Sequence, residues 1–417
     1  DDVSVGGDAA VTGALTGGTV NGVGISYNIS NFSNGLLISS DASTGTLSSA
    51  SNNTGIGTSV FAALTTGDQN TIVGSLAGDV LTTGTDNTGF GFGALSALTT
   101  ANDNTAVGAS ALVNNSTGAS NTAVGRAALI ANTTASNNIA VGSSSLAANT
   151  TGDRNVAVGT NALDANTTAD ANVAIGNQAL SANTTAESNT AIGFNAMLSN
   201  TTGANNVAIG STALDANTTA SNNTGIGFAA LGANTTGGDN VAIGMDCMKV
   251  NTTGTANVAI GKAALDANTT ANSNVAIGKL SLTANTTGAG NTGVGAETLE
   301  SNTTGTQNTA VGFQAAEQNT TASNVTAVGH HALTENTTGS DNSAFGSFAL
   351  DANTTGSNNV AMGKSSLTDN TTGHSNVAVG HTSLEKNTTG TSNTAVGASS
   401  LDANTTGASN TAVGTSA

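Results

Sequence analysis

The chain contains no proline and no tryptophan, and aromatic residues make up only 2% of its 417 residues. A conventional core of large side chains is therefore excluded, and small residues have to pack by close stacking. Cys247 is the single cysteine, which excludes an intrachain disulfide framework and a cysteine zinc site. It stands where other repeats have a small residue, and we expect a buried, inert thiol there.

Basic residues are also scarce, with 7 Lys and Arg against 25 Asp and Glu, and the formal net charge is -18. This charge repels nucleic-acid phosphates and anionic lipids, so we expect no nucleic-acid partner. No apolar run approaches the roughly 18 residues of a membrane span, and we expect no membrane insertion in this region.

Repetition is what the sequence has in abundance. A glycine that follows a large apolar residue recurs every 17 residues from Gly57 to Gly414, which gives 22 such glycines without insertion or deletion. A strict short period is typical of a solenoid, in which each coil buries its apolar face against its neighbours. We therefore predict an all-β protein, a parallel β-solenoid (β-roll) of 22 coils over residues 51–417. One short helical turn per coil is an alternative for the segment after the glycine.

Residues 1–50 lie outside this frame. The segments 3–11 and 17–25 alternate small, apolar and polar residues, which predicts short strands joined by glycine turns. We expect a neck, a cap or an attachment segment here, because the first coil of a solenoid otherwise leaves an unpaired strand edge.

Two columns of apolar residues predict the core. Coil positions are counted here from the recurrent glycine, so that in the coil of Gly210 position −1 is Ile209 and position +4 is Leu214. Position −1 is large and apolar in every coil, and position +4 is usually leucine. The predicted core residues are Ile175, Ile209, Ile243, Leu163, Leu214 and Leu265.

Asparagines occupy two further columns. Position +7 is leucine in the first three coils and asparagine in the next 18, from Asn115 to Asn404. A position that accepts leucine faces inward, so we predict a ladder of buried asparagines that hydrogen-bond from coil to coil. The representative ladder residues are Asn115, Asn166, Asn217, Asn268, Asn353 and Asn404. The same argument disfavours glycosylation of the Asn-Thr-Thr sequons that these residues begin. A second column at position −4 is broken only by Val325.

No catalytic set emerges from the remaining residues. His330 and His331 are adjacent, but His374 and His381 lie in other coils, and surface histidines are the simpler interpretation. The carboxylates at position +5 are too far apart to share a calcium ion. We predict neither an enzyme nor a metal site, and we expect no cofactor.

The motif Asn-Val-Ala-Ile-Gly-x-x-Ala-Leu-x-Ala-Asn-Thr-Thr-Gly over about residues 51–417 resembles two related groups of proteins. One is the head β-roll of trimeric autotransporter adhesins. The other, closer in period, is the repeat tract of phage tail fibres and related surface fibres, which often end in an endosialidase-type chaperone. The resemblance implies a homotrimer that presents adhesive or receptor-binding parts. The coil here is longer than that of the adhesin head, and no binding residue of either group maps onto this chain.

We therefore predict a structural protein: the shaft of an extracellular fibre, on a virion or a cell surface, that spaces or presents host- or surface-binding parts. Its expected partners are further copies of itself and a host receptor or surface glycan. Two alternatives are a secreted subunit that polymerises head to tail into a filament, and a solenoid that binds ice, through columns of threonine, or glycans along one face.

Overall fold

The computed structural model describes residues 18–20, 23–29, 31–39 and 44–417. Over these residues the protein is an all-β parallel β-solenoid with a 17-residue coil, which confirms the predicted fold class. The same residues contain no helix, so the alternative of a helical turn in each coil is wrong. The chain divides into two compact units, Asp1–Ser188 and Asn189–Ala417. The predicted strand in segment 3–11 lies outside the described residues.

In the described part of the first unit, three strands that do not follow the repeat precede the coils. The first pairs antiparallel with the second, and the second pairs antiparallel with the third. The third then runs parallel to the first coil, where Leu36 pairs with Thr54, so it covers the edge that a cap was expected to cover. These strands are β1 (Gly18–Val20), β2 (Val23–Ile29) and β3 (Phe32–Ser39), followed by the short β4 (Ala50–Ser51).

Each coil contributes one strand of three residues, which within each unit pairs in parallel and in register with the strand 17 residues on. In the first unit these strands are β5 (Thr54–Ile56), β6 (Thr71–Val73), β7 (Thr88–Phe90), β8 (Thr105–Val107), β9 (Thr122–Val124), β10 (Ile139–Val141), β11 (Val156–Val158) and β12 (Val173–Ile175). In the second unit they are β13 (Thr190–Ile192), β14 (Val207–Ile209), β15 (Thr224–Ile226), β16 (Val241–Ile243), β17 (Val258–Ile260), β18 (Val275–Ile277), β19 (Thr292–Val294), β20 (Thr309–Val311), β21 (Thr326–Val328), β22 (Ser343–Phe345), β23 (Val360–Met362), β24 (Val377–Val379), β25 (Thr394–Val396) and β26 (Thr411–Val413).

The segment after each strand turns without forming a helix. Gly210 has a φ of 136°, and Thr212 and Leu214 have φ values of 54° and 52°. Two left-handed residues so close together cannot belong to a right-handed helix, and each costs roughly 1–3 kcal/mol of backbone strain. Complete burial of the Leu214 side chain stabilises the fold by roughly 1.5–3 kcal/mol, so packing offsets much of the strain of the turn.

The interior is narrow, and positions −2 and +4 fill it together. The usual pair is alanine with leucine, as in Ala208 and Leu214, both fully buried. Where position +4 holds the larger Phe61, position −2 is Gly55, and an added Cβ there would lie 2.9 Å from the Phe61 ring. Where position −2 holds the larger Ile72, position +4 is Gly78. In these two coils a larger residue in one column is therefore matched by glycine in the other.

Half of the predicted core is correct and half is wrong. Leu163, Leu214 and Leu265 are fully buried, as predicted. Ile175, Ile209 and Ile243 retain 38%, 37% and 36% of their accessible surface and face outward. Successive strand residues point to opposite faces, and the residue at position −2, which is alanine in most coils, is the one that faces the narrow interior. Position −1 is therefore left on the outer face of the strand.

Candidate functional site

The asparagines at position +7 form a continuous ladder inside each unit. Asn217 is fully buried, and its Nδ2 donates to Asn200 Oδ1 at 2.8 Å and to the Ala220 carbonyl at 3.0 Å. Its Oδ1 accepts a hydrogen bond from Asn234 Nδ2 at 3.0 Å. Each side chain therefore satisfies its own polar atoms and one atom of each neighbour, which avoids a cost of roughly 1–3 kcal/mol per unpaired buried group.

The predicted ladder residues occupy equivalent places in the two units. Their Nδ2 atoms donate to the carbonyl three residues on and, after the first member Asn115, also to the asparagine of the preceding coil. The fully buried members are Asn115, Asn166, Asn217, Asn268 and Asn353, whereas Asn404 is partly exposed. The three leucines that precede them in the column, Leu64, Leu81 and Leu98, are fully buried as well.

A second ladder runs through position −4 and also bonds the backbone. Asn206 Oδ1 accepts from the backbone amide of Asn223 at 2.9 Å, and Asn223 Nδ2 donates to the Gly237 carbonyl at 2.9 Å. At Val325 the column loses its side-chain amide, although the Val325 backbone amide still donates to Asn308 Oδ1. The two ladders together account for most of the buried polar side chains of the described coils.

The Asn-Thr-Thr segments are unavailable to large ligands at their first two residues. Both hydrogens of the Asn217 side-chain amide are used inside the coil, which leaves none accessible for attachment of a sugar in the folded state. The Thr218 hydroxyl donates to the Thr235 carbonyl, and Thr219 is the exposed member of this pair. The pair therefore presents one free hydroxyl column rather than the two that the ice-binding alternative drew on.

The outward residues at position −1 form an apolar surface on the strands, which we call the strand stripe. A size signal was present in the sequence, because this column accepts valine, isoleucine, phenylalanine and methionine without a compensating change at another position. Tightly packed core columns do not vary in this way. The most exposed members in the first unit are Ile56, Phe90, Val107 and Ile175, and in the second unit Ile209, Ile243, Ile260, Ile277, Val311, Phe345, Met362, Val396 and Val413.

Charged groups lie mainly on the turn that follows the glycine. Burial raises the pKa of several carboxyls at position +5, and it raises the pKa of Asp351 to about 6, with the nearby Asp369 and Glu335 adding to the increase. The pKa of Glu317 is raised by burial and by the neighbouring Glu300 and Glu297. Protonation of these groups is therefore favoured by folding in mildly acidic solution.

The adjacent histidines belong to an aromatic cluster on the same turn. The ring centroids of His330 and His331 are 4.2 Å apart, Phe313 stacks on His330, and Phe348 stacks on His331. Burial lowers the pKa of His331, and the neighbouring His330 lowers it further. The sequence did not reveal this cluster, because its members come from three successive coils.

The described residues contain no group of three or more His, Cys, Asp or Glu placed to hold a metal ion. Cys247 is buried, its Sγ lies 3.2 Å from the Ala259 carbonyl oxygen, and burial raises the pKa of the thiol to about 12. In the part of the chain that the structure describes, no helix has the length and apolar character needed to cross a bilayer. The sequence matches no protein-family model and no curated protein.

Proposed function

We propose that the chain is a structural protein, the shaft of an extracellular fibre, in which copies of the chain associate through the strand stripe. In this proposal the shaft carries no catalytic activity and holds host- or surface-binding parts away from a virion or a cell. The observation that carries the proposal is the apolar column at position −1, which in each unit is half-buried or exposed in every coil. A single exposed isoleucine is ordinary, but an apolar patch that continues from coil to coil marks an interaction surface.

Further copies of the same chain are the partner that this surface fits best. The stripe repeats at the coil spacing, roughly 4.8 Å for parallel strands, and every copy carries the same stripe at the same spacing. No charged residue occupies position −1 in any of the 22 coils, so contact along the stripe does not require the burial of a charge. Removing the remaining exposed surface of Ile209 or Ile243 from water stabilises association by roughly 1 kcal/mol each.

A trimer is the proposed assembly, because the two groups that the sequence resembles are trimeric fibres. The asparagine ladders suit this function, since they tie every coil to its neighbours and leave few interior groups for a protease to reach. The variable residues on the turns stay outside the core, so they are free to differ without loss of the fold.

The experiment measures the mass of the purified chain in solution by light scattering over a range of concentrations. The expected result is a fixed mass of three times the 39.8 kDa of one chain. The triple variant Ile209→Asn, Ile243→Asn, Ile260→Asn is expected to shift the protein to monomer with an unchanged circular dichroism spectrum, because these side chains face outward.

The matched control is the triple variant Thr219→Asn, Thr236→Asn, Thr253→Asn, which changes exposed residues of three coils on another side of the coil. It is expected to remain trimeric. A monomeric wild-type protein at micromolar concentration, or an Ile triple variant that stays trimeric, contradicts association through the stripe. A mass that grows continuously with concentration instead identifies the head-to-tail filament.

A further inference from the structure

A cavity of about 520 Å³ opens on the turns of three successive coils of the second unit. It exists because the repeat is broken at one place. Position +5 holds Gly232, the only glycine in that column, between Asp215 and Lys249 in the coils before and after. The absent side chain leaves a notch, and a Cβ added to Gly232 would lie 3.5 Å from Asp215 Oδ1.

The walls of the cavity combine apolar and polar groups. Phe228 forms one side and is 54% exposed, and Val250 lines the cavity with three alanines. Asp215 and Lys249 supply a carboxylate and an ammonium group at its rim. Lysine occurs at position +5 only here, so several departures from the repeat come together at a single place on the surface. The volume lies within the roughly 300–1,000 Å³ that small-molecule sites occupy.

The charges around the cavity decide which ligand it accepts. A cationic ligand would face Lys249, and an anionic ligand would face Asp215. Lys249 Nζ is already held by Asp246 Oδ1 at 3.0 Å, and Asp266 adds a further negative charge beside it. The carboxylate nevertheless accepts hydrogen bonds from hydroxyls, and the ammonium donates hydrogen bonds to them. An uncharged polyhydroxyl ligand can therefore hydrogen-bond to both groups without placing a like charge beside either of them.

We propose that this cavity binds one neutral sugar ring, with an apolar face of the ring against Phe228 and its hydroxyls toward Asp215 and Lys249. The ring of Phe228 offers a flat apolar surface, and the C–H groups on one face of a pyranose complement it. The site goes beyond the proposed shaft function, because it gives the shaft itself a glycan contact. It does not depend on association through the strand stripe.

The experiment uses saturation-transfer NMR and titration of the full chain with the methyl glycosides of glucose, galactose, mannose and N-acetylglucosamine. At least one of these sugars is expected to receive saturation at its ring protons. Glucuronate and glucosamine, which carry charge, are expected to bind more weakly. Phe228→Ser is expected to weaken binding by about tenfold, the loss of one aromatic contact of about 1.4 kcal/mol. Gly232→Asp is expected to abolish binding by filling the notch.

Both substitutions install the residue found at the same position one coil earlier, Ser211 and Asp215, so the fold is expected to tolerate them. Phe194→Ser is the matched control, because Phe194 occupies the same coil position, is also 54% exposed and does not line the cavity. It is expected to bind the sugar as the wild type does. Absence of binding to all four neutral glycosides, a preference for the charged sugars, or unchanged binding by Gly232→Asp overturns the proposal.

Discussion

Asn206 and Asn217 donate their side-chain amides to the same acceptor, the backbone carbonyl oxygen of Ala220, at 2.9 and 3.0 Å. The next coil repeats the arrangement, with Asn223 and Asn234 both donating to the Gly237 carbonyl. The two asparagine ladders are therefore joined once in each coil through a backbone atom. This shared acceptor fixes the bend that contains Thr218 and Thr219. A substitution in one ladder therefore alters the hydrogen bonding of the other.

The first prediction concerns the charge of the ladder. Asn217→Asp replaces two buried donors with a carboxylate that faces Asn200 Oδ1 and the Ala220 carbonyl oxygen. We expect a loss of at least about 3 kcal/mol in the free energy of unfolding, because these oxygens repel a buried charge. Asn217→Leu fits the space, as Leu64 does in its own coil, and is expected to cost only about 1–3 kcal/mol for the partners left unpaired.

Urea unfolding followed by circular dichroism measures both changes. Asn205→Asp, which changes the exposed asparagine directly before Asn206, is the control and is expected to leave the unfolding midpoint nearly unchanged. If the leucine variant proves less stable than the aspartate variant, the ladder does not contribute as described.

The second prediction is a gain of stability at the one break in the position −4 column. In a regular coil, Asn359 donates its backbone amide to Asn342 Oδ1. One coil earlier, the equivalent acceptor for the Asn342 backbone amide would be the side chain of residue 325. That residue is Val325, which is buried and offers no acceptor. Val325→Asn restores an acceptor for the Asn342 backbone amide, and its side-chain amide would share the Gly339 carbonyl with Asn336 and Asn342, which already donate to it. We expect a gain of about 1–2 kcal/mol.

A thermal melt compares this variant with Val325→Thr, which preserves the volume but is too short to reach both partners. The threonine variant is expected to be no more stable than the wild type. Equal melting temperatures for all three proteins would show that the break carries no cost.

The period, the fold class, the leucine column and the asparagine ladder could be predicted because each leaves a residue type fixed at a coil position. The ladder was visible only because Leu64, Leu81 and Leu98 share its column, which identified an inward side chain. These features depend on local spacing and on polarity, both of which a sequence records.

Which residues of the strand face the interior could not be predicted in the same way. Ile209 and Ala208 are both apolar, and hydrophobicity alone places the larger residue inside. The outcome depends on the width of the interior, which Leu214 and the asparagines already fill. The turn was ambiguous for a related reason, since a buried leucine in the left-handed region is disfavoured locally and is held there by tertiary packing.

The third prediction tests the requirement for glycine at the turn. Gly210 has a φ of 136°, and a Cβ there would lie 2.4 Å from the carbonyl oxygen of Gly227. Gly210→Ala is therefore expected to lower the free energy of unfolding by at least about 2 kcal/mol through backbone strain and displacement of the neighbouring coil. Urea unfolding measures the change.

Gly225→Ala is the matched control, since alanine occupies the same strand position at Ala208 and Ala242 and Gly225 has no positive φ. Its expected cost is below about 1 kcal/mol, because the nearest atoms, 3.1–3.3 Å from an added Cβ, have to move only slightly. Equal losses in the two variants would refute a special role for the glycine at the turn.

The last prediction concerns pH. Burial raises the pKa of Asp351 from its ordinary 3.8 to about 6, so the folded state binds this proton more tightly than the unfolded state. The resulting stabilisation is fully present below pH 3.8 and is lost as the pH rises through about 6. Asp215, Asp266, Glu300 and Glu317, whose pKa values are also raised by burial, act in the same direction.

The unfolding midpoint is therefore expected to be higher at pH 5 than at pH 7.5. Asp351→Asn removes one ionising group, so it is expected to reduce this difference and to raise the midpoint at pH 7.5 relative to the wild type. Asp402→Asn, at the same coil position but exposed, serves as the control and is expected to retain the wild-type difference. A midpoint that falls between pH 7.5 and pH 5 in the wild type would contradict the assigned direction, because ionised carboxylates would then be stabilising the coils.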